Sequence, residues 1–442
     1  PPATVAPPAQ AAAPANSEAQ VTVRDGDAGT ALAGIRVLGF GPGVQTAGVT
    51  DDAGRVTLPG DVRLVRTEPG RFGAARARVQ DDAAQLDLYD PDLQSPEYGG
   101  GPDRDRFVPD VTVGVPNGPP DWTFVSRVLL EFPPAVSDGL LVVGTNSGRV
   151  FAMDSDTGEL RWARRLRGNI AASPAIAEDL VYMPAMSGTL AAFRAADGKP
   201  LWQFDTGGSP IESSPLVVDG LVYVGAHNGV LYALDALTGD RVWSYQAPGD
   251  IKGSAALSGD NVVVGDYAGR VHALNRRTGA PVWSVPVGAR IYGGPGVSGD
   301  TLVVSDIGGS VVALDAATGS ERWRYGTGGA FVYASPAIAE GSVYIGAFDG
   351  RFRALDLATG AERWSVEAGG RVGGSATVVG DVVYGSVLYR PGEPRRTFGL
   401  DTASGNVRYE GDDGRYSPAV AAGTMLFLVG VRTIYAYREP GA

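Results

Sequence analysis

Short runs of apolar and β-branched residues alternate along most of the chain with turns rich in Gly, Asp and Asn. Residues 335–364 read SPAIAEGSVYIGAFDGRFRALDLATGAERW, and residues 214–243 read SPLVVDGLVYVGAHNGVLYALDALTGDRVW. The two stretches align almost without gaps. Each contains four short extended segments separated by hairpin turns, in which Gly supplies positive φ and an Asp side chain caps turn amides. The pattern therefore predicts four antiparallel strands in each unit.

Tryptophan marks the period of these units, because all seven tryptophans of the chain recur at spacings of 40 or 41 residues. An eighth unit ends at Tyr409, after an insertion at residues 389–396. Four antiparallel strands with a period near 40 residues predict the blades of a β-propeller.

The two ends of the repeat region complement each other. After Tyr409, residues 417–437 supply three strand-like segments and no fourth, whereas residues near 121–127 supply one strand that carries Trp122. We expect these two fragments to form one blade, because that pairing closes the ring and covers two open sheet edges. The predicted fold class is all-β: an eight-bladed β-propeller over residues 121–442, preceded by a small β-sandwich.

Three segments precede the propeller. Residues 1–18 open on PPATVAPPAQAAAPAN and predict an extended Pro/Ala-rich tail, of the kind that follows an export signal or anchor. Residues 19–88 alternate strand-like runs with Asp/Gly turns and predict the β-sandwich. Residues 89–120 are rich in Pro, Gly and Asp and predict an irregular linker.

Composition narrows the function. A net charge of −12 repels phosphate backbones and anionic lipid, so nucleic acid and a basic membrane-binding face are both disfavoured. The chain has no cysteine, which excludes disulfides, thiolate metal sites and cysteine nucleophiles. No apolar stretch is long enough to predict a transmembrane segment.

The recurring signature is [SG]-[PA]…G-x-V-Y-x-G…G-x-[LV]-x-A-L-D-x-x-T-G-x-x-x-W over about residues 121–437. It resembles the quinoprotein alcohol dehydrogenase-like (PQQ-repeat) propeller superfamily. The resemblance implies that aromatic residues on the outer strands dock neighbouring blades, with Tyr409 a departure that would dock its blade more loosely. The residues expected in this structural role are Trp122, Trp162, Trp202, Trp243, Trp283, Trp323, Trp364 and Tyr409.

The superfamily has two branches. Its dehydrogenases hold pyrroloquinoline quinone and Ca²⁺ and carry long insertions, a vicinal Cys pair, an acidic and Asn calcium site and a catalytic Asp. Its non-catalytic propellers include the lipoprotein of the outer-membrane barrel-assembly machinery. This chain has no cysteine and blades nearly free of insertions, so it resembles the non-catalytic branch. We therefore expect no enzyme activity, no cofactor, no metal and no catalytic residue.

The front segment carries a second resemblance. The opening VTVRD, Leu32–Val37, Thr50–Val56 and the turn Glu68–Gly70 resemble the carboxypeptidase regulatory-like (transthyretin-like) β-sandwich family. That family implies an accessory, adhesive or spacer module. The barrel-assembly lipoprotein lacks such a domain, so its specific role is not implied for this chain.

Isolated polar motifs fit structural roles. His227 and His272 have no partner His at ligand spacing, so we interpret them as structural or solvated. Asp154 opens a stretch that looks like a calcium loop but lacks the remaining ligands, and a turn cap explains the recurring Asp better.

The loops that enter the innermost strands vary most between units and, in a propeller, line one mouth of the central channel. They carry cations and aromatic residues that are frequent at binding hot spots. We interpret this mouth as a ring of solvated loops, and the alternative hypothesis is a site for an acidic peptide, a glycan or a small anion. The candidate residues are Lys252, Arg290, Tyr292, Tyr333, Arg371 and Arg415.

The sequence thus predicts an extracytoplasmic scaffold (periplasmic, on the cell surface or secreted) that binds protein partners of the envelope. Self-association through the tail is a further possibility that follows from its composition. Two alternatives stay open: a periplasmic dehydrogenase dependent on pyrroloquinoline quinone and calcium, and a carbohydrate-binding surface protein or filament subunit.

Overall fold

A computed structural model describes residues 18–68, 71–72, 74–109, 115–177, 179–388, 396–414, 416 and 418–438. The described residues form β-strands and turns, with one 3-10 turn at Pro91–Leu93 and no α-helix. Among them there is no helix long and apolar enough to cross a membrane. The expected tail at residues 1–18 lies outside the described part except for Glu18. The chain divides into two compact units, Pro1–Pro91 and Asp92–Ala442.

The first unit consists of two sheets around one hydrophobic core. In one sheet the first strand lies between the fourth, which is antiparallel to it, and the seventh, which is parallel. In the other sheet the third strand pairs with the second, the second with the fifth and the fifth with the sixth, all antiparallel. Apolar side chains from both sheets, among them Val21, Val37, Leu58, Val65 and Leu86, share the core. The strands are β1 (Glu18–Asp25), β2 (Arg36–Gly41), β3 (Val44–Val49), β4 (Arg55–Pro59), β5 (Leu64–Thr67), β6 (Arg76–Arg78) and β7 (Ala83–Leu88).

The described residues of the second unit form eight sheets, antiparallel except for one parallel pair in the seventh, and we number the sheets in chain order. Sheets 1 to 4 contain β10 (Ala135–Ser137), β11 (Leu140–Gly144), β12 (Arg149–Asp154) and β13 (Leu160–Arg165); β14 (Ala175–Ala177), β15 (Leu180–Pro184), β16 (Thr189–Arg194) and β17 (Pro200–Asp205); β18 (Leu216–Val218), β19 (Leu221–Gly225), β20 (Val230–Asp235) and β21 (Arg241–Gln246); and β22 (Ala256–Ser258), β23 (Asn261–Gly265), β24 (Arg270–Asn275) and β25 (Pro281–Pro286).

Sheets 5 to 8 continue the pattern. They contain β26 (Gly296–Ser298), β27 (Thr301–Ser305), β28 (Ser310–Asp315) and β29 (Glu321–Gly326); β30 (Ala337–Ala339), β31 (Ser342–Gly346), β32 (Arg351–Asp356) and β33 (Glu362–Glu367); β34 (Thr377–Val379), β35 (Val382–Val387), β36 (Arg396–Asp401) and β37 (Val407–Gly411); and β38 (Ala419–Ala422), β39 (Met425–Val429) and β40 (Thr433–Arg438). Two short strands that precede sheet 1 in the chain join the later sheets. They are β8 (Phe107–Val108), which pairs with β34, and β9 (Trp122–Val125), which pairs with β40.

The sheets form the ring of a β-propeller, which confirms the predicted all-β propeller fold. Eight hydrophobic clusters each join two neighbouring sheets, and one of them joins sheet 8 to sheet 1. The second strands, and most residues of the third strands in sheets 1 to 7, are buried because both of their faces pack against neighbouring sheets. The predicted closure is confirmed, since β9 pairs antiparallel with β40 and supplies the fourth strand of sheet 8.

Candidate functional site: the mouth of the central channel

Serine residues at the start of the inner strands hold the mouth together. The backbone amide of Ser173 donates to the Oγ of Ser214 in the next sheet (3.0 Å), and Ser214 donates in the same way to Ser254 (2.9 Å). Farther round the ring, the amide of Ser335 donates to Ser375 Oγ (2.8 Å). These buried hydrogen bonds tie three pairs of neighbouring entering loops together and fix their spacing around the channel.

The tryptophans tie the outer edge of the ring. In each case the indole Nε1 donates to a backbone carbonyl in a turn of the next sheet, as Trp323 does to Leu357 O (2.7 Å). Trp122 of sheet 8 does the same to Ser155 of sheet 1 (3.1 Å), so the contact also spans the closure. The other acceptors are Ala195 for Trp162, Ala236 for Trp202, Arg276 for Trp243, Ala316 for Trp283 and Thr402 for Trp364.

Tyr409 occupies the equivalent place on sheet 7. Its ring packs among Tyr435 and Tyr437 of sheet 8 and Tyr384 of its own sheet. Burial and the neighbouring tyrosines raise the pKa of Tyr409 well above its usual value. The contact across this interface is therefore a cluster of phenol rings in place of one indole.

Residues 93–108, which we call the plug, coil inside the channel. The sequence predicts this segment as part of an irregular linker, and apart from β8 it has little regular structure. Along its length it contacts sheets 1 to 7 in the order in which they follow in the chain. In each, the amide of the middle residue of the inner strand donates to the plug: Val136 to Ser95 O, Ile176 to Pro96 O, Val217 to Glu97 Oε2, Leu257 to Pro102 O, Val297 to Asp103 O, Ile338 to Asp105 O and Val378 to Arg106 O, at 2.7–3.1 Å.

These seven amides belong to strand edges that face the channel. A buried backbone amide without a partner costs free energy comparable to a lost hydrogen bond. The plug thus satisfies the inner edge of the ring, as a neighbouring strand would, and it fills the channel.

Two buried arginines anchor the plug. Arg104 donates to the carbonyls of Ala255 (3.1 Å), Pro215 (2.7 Å) and Tyr98, and its Nη2 lies 3.5 Å from Glu97 Oε2. Arg106 donates to Ala376 O and lies over the ring of Tyr98, 4.4 Å from its centroid. Burial lowers the pKa of Arg104 and raises that of Glu97, and the charge of each partner opposes the shift of the other.

Above the plug, the loops enclose a cavity of about 260 Å³ at the mouth. The plug contributes Tyr98, whose hydroxyl donates to Ser375 Oγ (3.0 Å). Aromatic rings dominate the lining and are Tyr98, Phe132, Tyr292, Tyr333, Phe348 and Tyr416. Glycines at residues 253, 293, 294, 373 and 374 form much of the remaining wall.

Residues at one equivalent position of the repeat line the cavity in six of the sheets. This position lies four places before the start of an inner strand, and its occupants are Glu131, Glu212, Lys252, Tyr292, Tyr333 and Gly373. Aligning the units on their inner strands therefore finds Glu131, which the sequence analysis missed. Tyr98 and Phe348 were also missed, because neither belongs to an entering loop.

Glu212 is the centre of a polar cluster on one side of the cavity. It accepts hydrogen bonds from the Tyr292 hydroxyl and from His227 Nε2 (2.9 Å), and Lys252 Nζ lies 3.8 Å from it. Burial alone would raise the pKa of Glu212, but these hydrogen bonds and the lysine charge outweigh it and leave the pKa below its usual value. Burial and the charge of Glu212 raise the pKa of Tyr267 to about 12. The cluster therefore holds an ionised carboxylate beside neutral phenols.

The predicted cations differ in where they lie relative to the cavity. Lys252 lines the cavity, but its charge lies beside Glu212 and over the ring of Tyr267, 4.7 Å from the centroid. Arg290 and Arg371 are not part of the lining and lie over the rings of Tyr267 (5.9 Å) and Phe348 (5.5 Å). Arg415 lies outside the described residues. Among the described residues of the mouth, the cations therefore do not form a free cluster for an anion.

The remaining polar motifs have structural partners. His272 is buried within sheet 4, with its Nε2 3.1 Å from Asp266 Oδ2 and its Nδ1 near the hydroxyls of Tyr245 and Ser284. Asp154 Oδ1 accepts from the amides of Asp156 and Thr157 at 3.0–3.1 Å, which is a turn cap.

The resemblance to PQQ-repeat propellers makes pyrroloquinoline quinone a candidate cofactor for the mouth. Pyrroloquinoline quinone is anionic and binds beside Ca²⁺, which takes six to eight oxygen ligands. Within the described ranges, no group of three His, Cys, Asp or Glu side chains is placed to hold a metal ion. The lining contributes two carboxylates and one lysine, and that lysine is already paired. The residues present do not fit the quinone and its calcium.

Fold and site together define a β-propeller of PQQ-type repeats with a plugged channel and an aromatic mouth. A family model agrees with this class: it matches residues 112–212, 185–290 and 267–417. The chain belongs to this family, which is described as outer membrane protein assembly factor BamB. No curated protein sequence matches the chain.

Solved structures share the fold. BamB from Moraxella catarrhalis is 19% identical, with a TM-score of 0.62 over 73% of this chain and 97% of that one. The quinohemoprotein alcohol dehydrogenase from Comamonas testosteroni is 16% identical, with a TM-score of 0.67 over 79% and 82%. A europium-containing methanol dehydrogenase is 16% identical, with a TM-score of 0.65 over 77% and 88%. At these identities the likeness concerns the fold alone.

Proposed function

We propose that this chain is a non-catalytic propeller of the cell envelope that binds a protein partner at the channel mouth. The observation that carries the proposal is the aromatic cavity beside loops from neighbouring sheets. Phe331 is 49% exposed next to this cavity, with its ring 6.2 Å from those of Tyr333 and Phe348. Recessed aromatic clusters of this kind are the anchors of protein interfaces.

One further observation supports the non-catalytic part of the proposal. Among the described residues, no cluster of metal-ligating side chains is placed to hold the Ca²⁺ that the quinone enzymes need. The family match adds support for an envelope role, since the family is described by an outer membrane assembly factor. In this proposal the first unit is an accessory spacer module.

Site-specific photo-crosslinking in cells tests the partner-binding face. A benzoylphenylalanine at Phe331 should give a discrete adduct with a partner protein. The same residue at Val282, which is 50% exposed on outer strand β25, is the matched control and should give none. Equal adducts at both positions, or adducts at Val282 alone, would place the interface elsewhere.

Reconstitution tests the enzyme alternative. The purified protein mixed with pyrroloquinoline quinone and Ca²⁺ should show no reduction of a redox dye with alcohols as substrates. Dye reduction that depends on both additions would overturn the non-catalytic proposal.

A further inference from the structure

The two sheets of the first unit differ in charge. The strands of the sheet formed by β2, β3, β5 and β6 carry four arginines and no Asp or Glu. The strands of the other sheet, β1, β4 and β7, carry two arginines and three acidic residues. Every ionisable side chain of this unit is among the residues that the structure describes, because residues 1–17, 69, 70 and 73 contain none. The separation of charge is therefore a property of the unit itself.

The arginines of the basic sheet lie on the face that points away from the core. Arg66 on β5 is exposed, between the buried residues Val65 and Thr67. Its cross-strand partner on β6 is Arg76, and Arg78 lies on the same face two residues further along. Diagonal neighbours across two strands, such as Arg66 and Arg78, are about 7–8 Å apart. Three guanidinium groups therefore share one exposed face.

Two of these arginines have no carboxylate partner in the described part of the chain. No Asp or Glu there forms an ion pair with Arg66 or Arg78. Glu68, which follows β5, is already paired with Arg36 at 3.5 Å. The guanidinium of Arg66 lies over the ring of Phe40, 5.2 Å from its centroid, which orients the charge without neutralising it. The face therefore keeps these two positive charges available for an anion.

The net charge of −12 does not prevent this local cluster from acting. At physiological ionic strength, exposed charges more than about 8 Å apart are largely screened from each other. An anion that lies on this face therefore experiences mainly the nearby guanidinium groups, and the acidic residues elsewhere on the chain have little effect on it.

Apolar side chains lie beside the arginines on the same face. Leu64, which is 38% exposed, is opposite Arg78 on β6 and opposite Phe40 on β2. Leu64 and Arg78 also line a surface depression of about 510 Å³ that is open to solvent. The face thus combines cations with exposed carbon surface, and it suits a ligand that carries an anionic group and an apolar face on one unit.

We propose that this face binds an acidic polysaccharide, with uronic acid carboxylates on Arg66 and Arg78 and the C–H faces of the sugar rings against Leu64. Guanidinium groups form paired hydrogen bonds with carboxylates, which favours an acidic sugar over a neutral one. A polymer engages both arginines at once, so it gains affinity without a deep pocket.

A polysaccharide is preferred to an acidic peptide because each uronic acid holds its carboxylate on a rigid ring. Asp and Glu side chains would lose rotamer freedom when they bind, and they offer little carbon surface to cover Leu64. This binding function belongs to the first unit and goes beyond partner binding at the channel mouth.

Polymers that differ in charge or in backbone test the proposal with the intact protein. In biolayer interferometry, immobilised polygalacturonate should bind at least about tenfold more tightly than its methyl-esterified form, which has the same rings without the charge. Added salt should weaken the binding. Equal binding of the two forms would overturn the proposal. Binding of poly-L-glutamate as tight as that of polygalacturonate would overturn it in favour of an acidic protein ligand.

Single variants locate the site. R66Q and R78Q should each weaken the binding of polygalacturonate about three- to fivefold, and the double variant should bind more weakly than either. R55Q removes the same charge from an exposed position on β4, in the other sheet, and should leave the affinity unchanged. Urea unfolding shows whether each variant is folded. Unchanged binding by the folded double variant, or equal weakening by R55Q, would overturn the assignment.

This proposal and the proposed function fail separately. The crosslink at Phe331 reports on the mouth of the propeller, and polygalacturonate binding that depends on Arg66 and Arg78 reports on the first unit. Either result can be negative while the other is positive.

Discussion

At the residue scale, the contact between sheets depends on the absence of a side chain. Each Thr-Gly or Ser-Gly turn between the third and fourth strands presents a glycine to the aromatic ring of the preceding sheet. At Gly360, φ is +73° and a Cβ would lie 2.6 Å from Trp323. Backbone conformation and packing therefore both require glycine there.

Gly360→Ala should destabilise the protein by about 2–4 kcal/mol, because it adds a clash with the indole to the strain of a positive φ. Gly220→Ala is the matched control: its φ is also +73°, but nothing lies within 4 Å of the added Cβ. We expect a cost of about 1 kcal/mol there. Urea unfolding of both variants isolates the indole contact, and equal losses would show that the contact adds nothing.

Asp105 of the plug makes stability depend on pH. Burial, and then the charge of Asp103, raise the pKa of Asp105 to about 7. In the unfolded chain the group ionises near its ordinary value of about 3.9, so the folded state holds the extra proton between these values. The contribution of this group to stability therefore falls as pH rises from about 4 to 7 and is constant above.

Asp105→Asn keeps the Oδ1 that accepts from the Phe107 amide (3.0 Å) and removes the ionisation. We expect the variant to be more stable than the parent by about 1–2 kcal/mol at pH 8, after allowing for partial exposure, and nearly equal to it at pH 4. Urea unfolding at pH 4, 6 and 8 measures this difference. Asp412→Asn, at an exposed position, should show no such trend, and a stability difference for Asp105→Asn that does not change with pH would contradict the assignment.

At the scale of elements, the plug differs from the rest of the propeller because its sequence does not belong to the repeated units. It accepts hydrogen bonds from seven inner strands, and its strand β8 extends sheet 7. A segment without a repeat thus completes the inner edge of a repetitive ring.

Arg104 should be the main anchor of the plug. Arg104→Met removes its hydrogen bonds to three carbonyls and leaves Glu97 buried without its cation, so we expect a loss of about 3–5 kcal/mol. Adding Glu97→Gln should restore part of that loss, because the amide needs no counter-charge.

Thermal unfolding and limited proteolysis between residues 92 and 120 measure both effects. The control is Arg167→Met at an exposed position, which should cost little. A single variant as stable as the parent, with no faster cleavage, would mean that the plug is held by its backbone alone.

At the scale of the whole molecule, stability depends on the joining of distant parts of the chain. Sheet 8 takes its fourth strand from residues more than 300 positions earlier, with Val125 opposite Thr433. The cluster between sheets 8 and 1, which includes Phe427, Ile434 and Met153, then buries the last interface of the ring.

A disulfide should lock this closure. Val125→Cys with Thr433→Cys places two cysteines opposite each other on paired strands, and the chain has no other cysteine to compete. We expect the bond to form in oxidising conditions, to shift mobility on a non-reducing gel and to raise the stability by about 2–4 kcal/mol. Val125→Cys with Val282→Cys is the control and should form no intramolecular bond; a free thiol at both 125 and 433 would contradict the register.

The repeated part of the structure could be predicted from the sequence because its determinants are local. Hairpin turns such as the one capped by Asp154, and strands such as β31, are determined by a few neighbouring residues, and the same short pattern recurs in the other units. The segment that carries Trp122 is a single strand of the repeat, and the last unit lacks its fourth strand, so the pairing of the two ends could also be predicted. The mouth was predicted in part: Lys252, Tyr292 and Tyr333 line the cavity, whereas Arg290 and Arg371 do not.

By itself, then, the sequence determined the strands, their number in each unit and the ring that repetition closes, because each interface repeats the same short pattern. Only the tertiary structure decided what fills and lines the channel. Tyr98 hydrogen-bonds to Ser375, 277 residues away, and Arg104 to Pro215 and Ala255, in a segment that has no periodicity. Such contacts form only when the ring brings eight inner edges to one axis, so local pattern carries no signal for them.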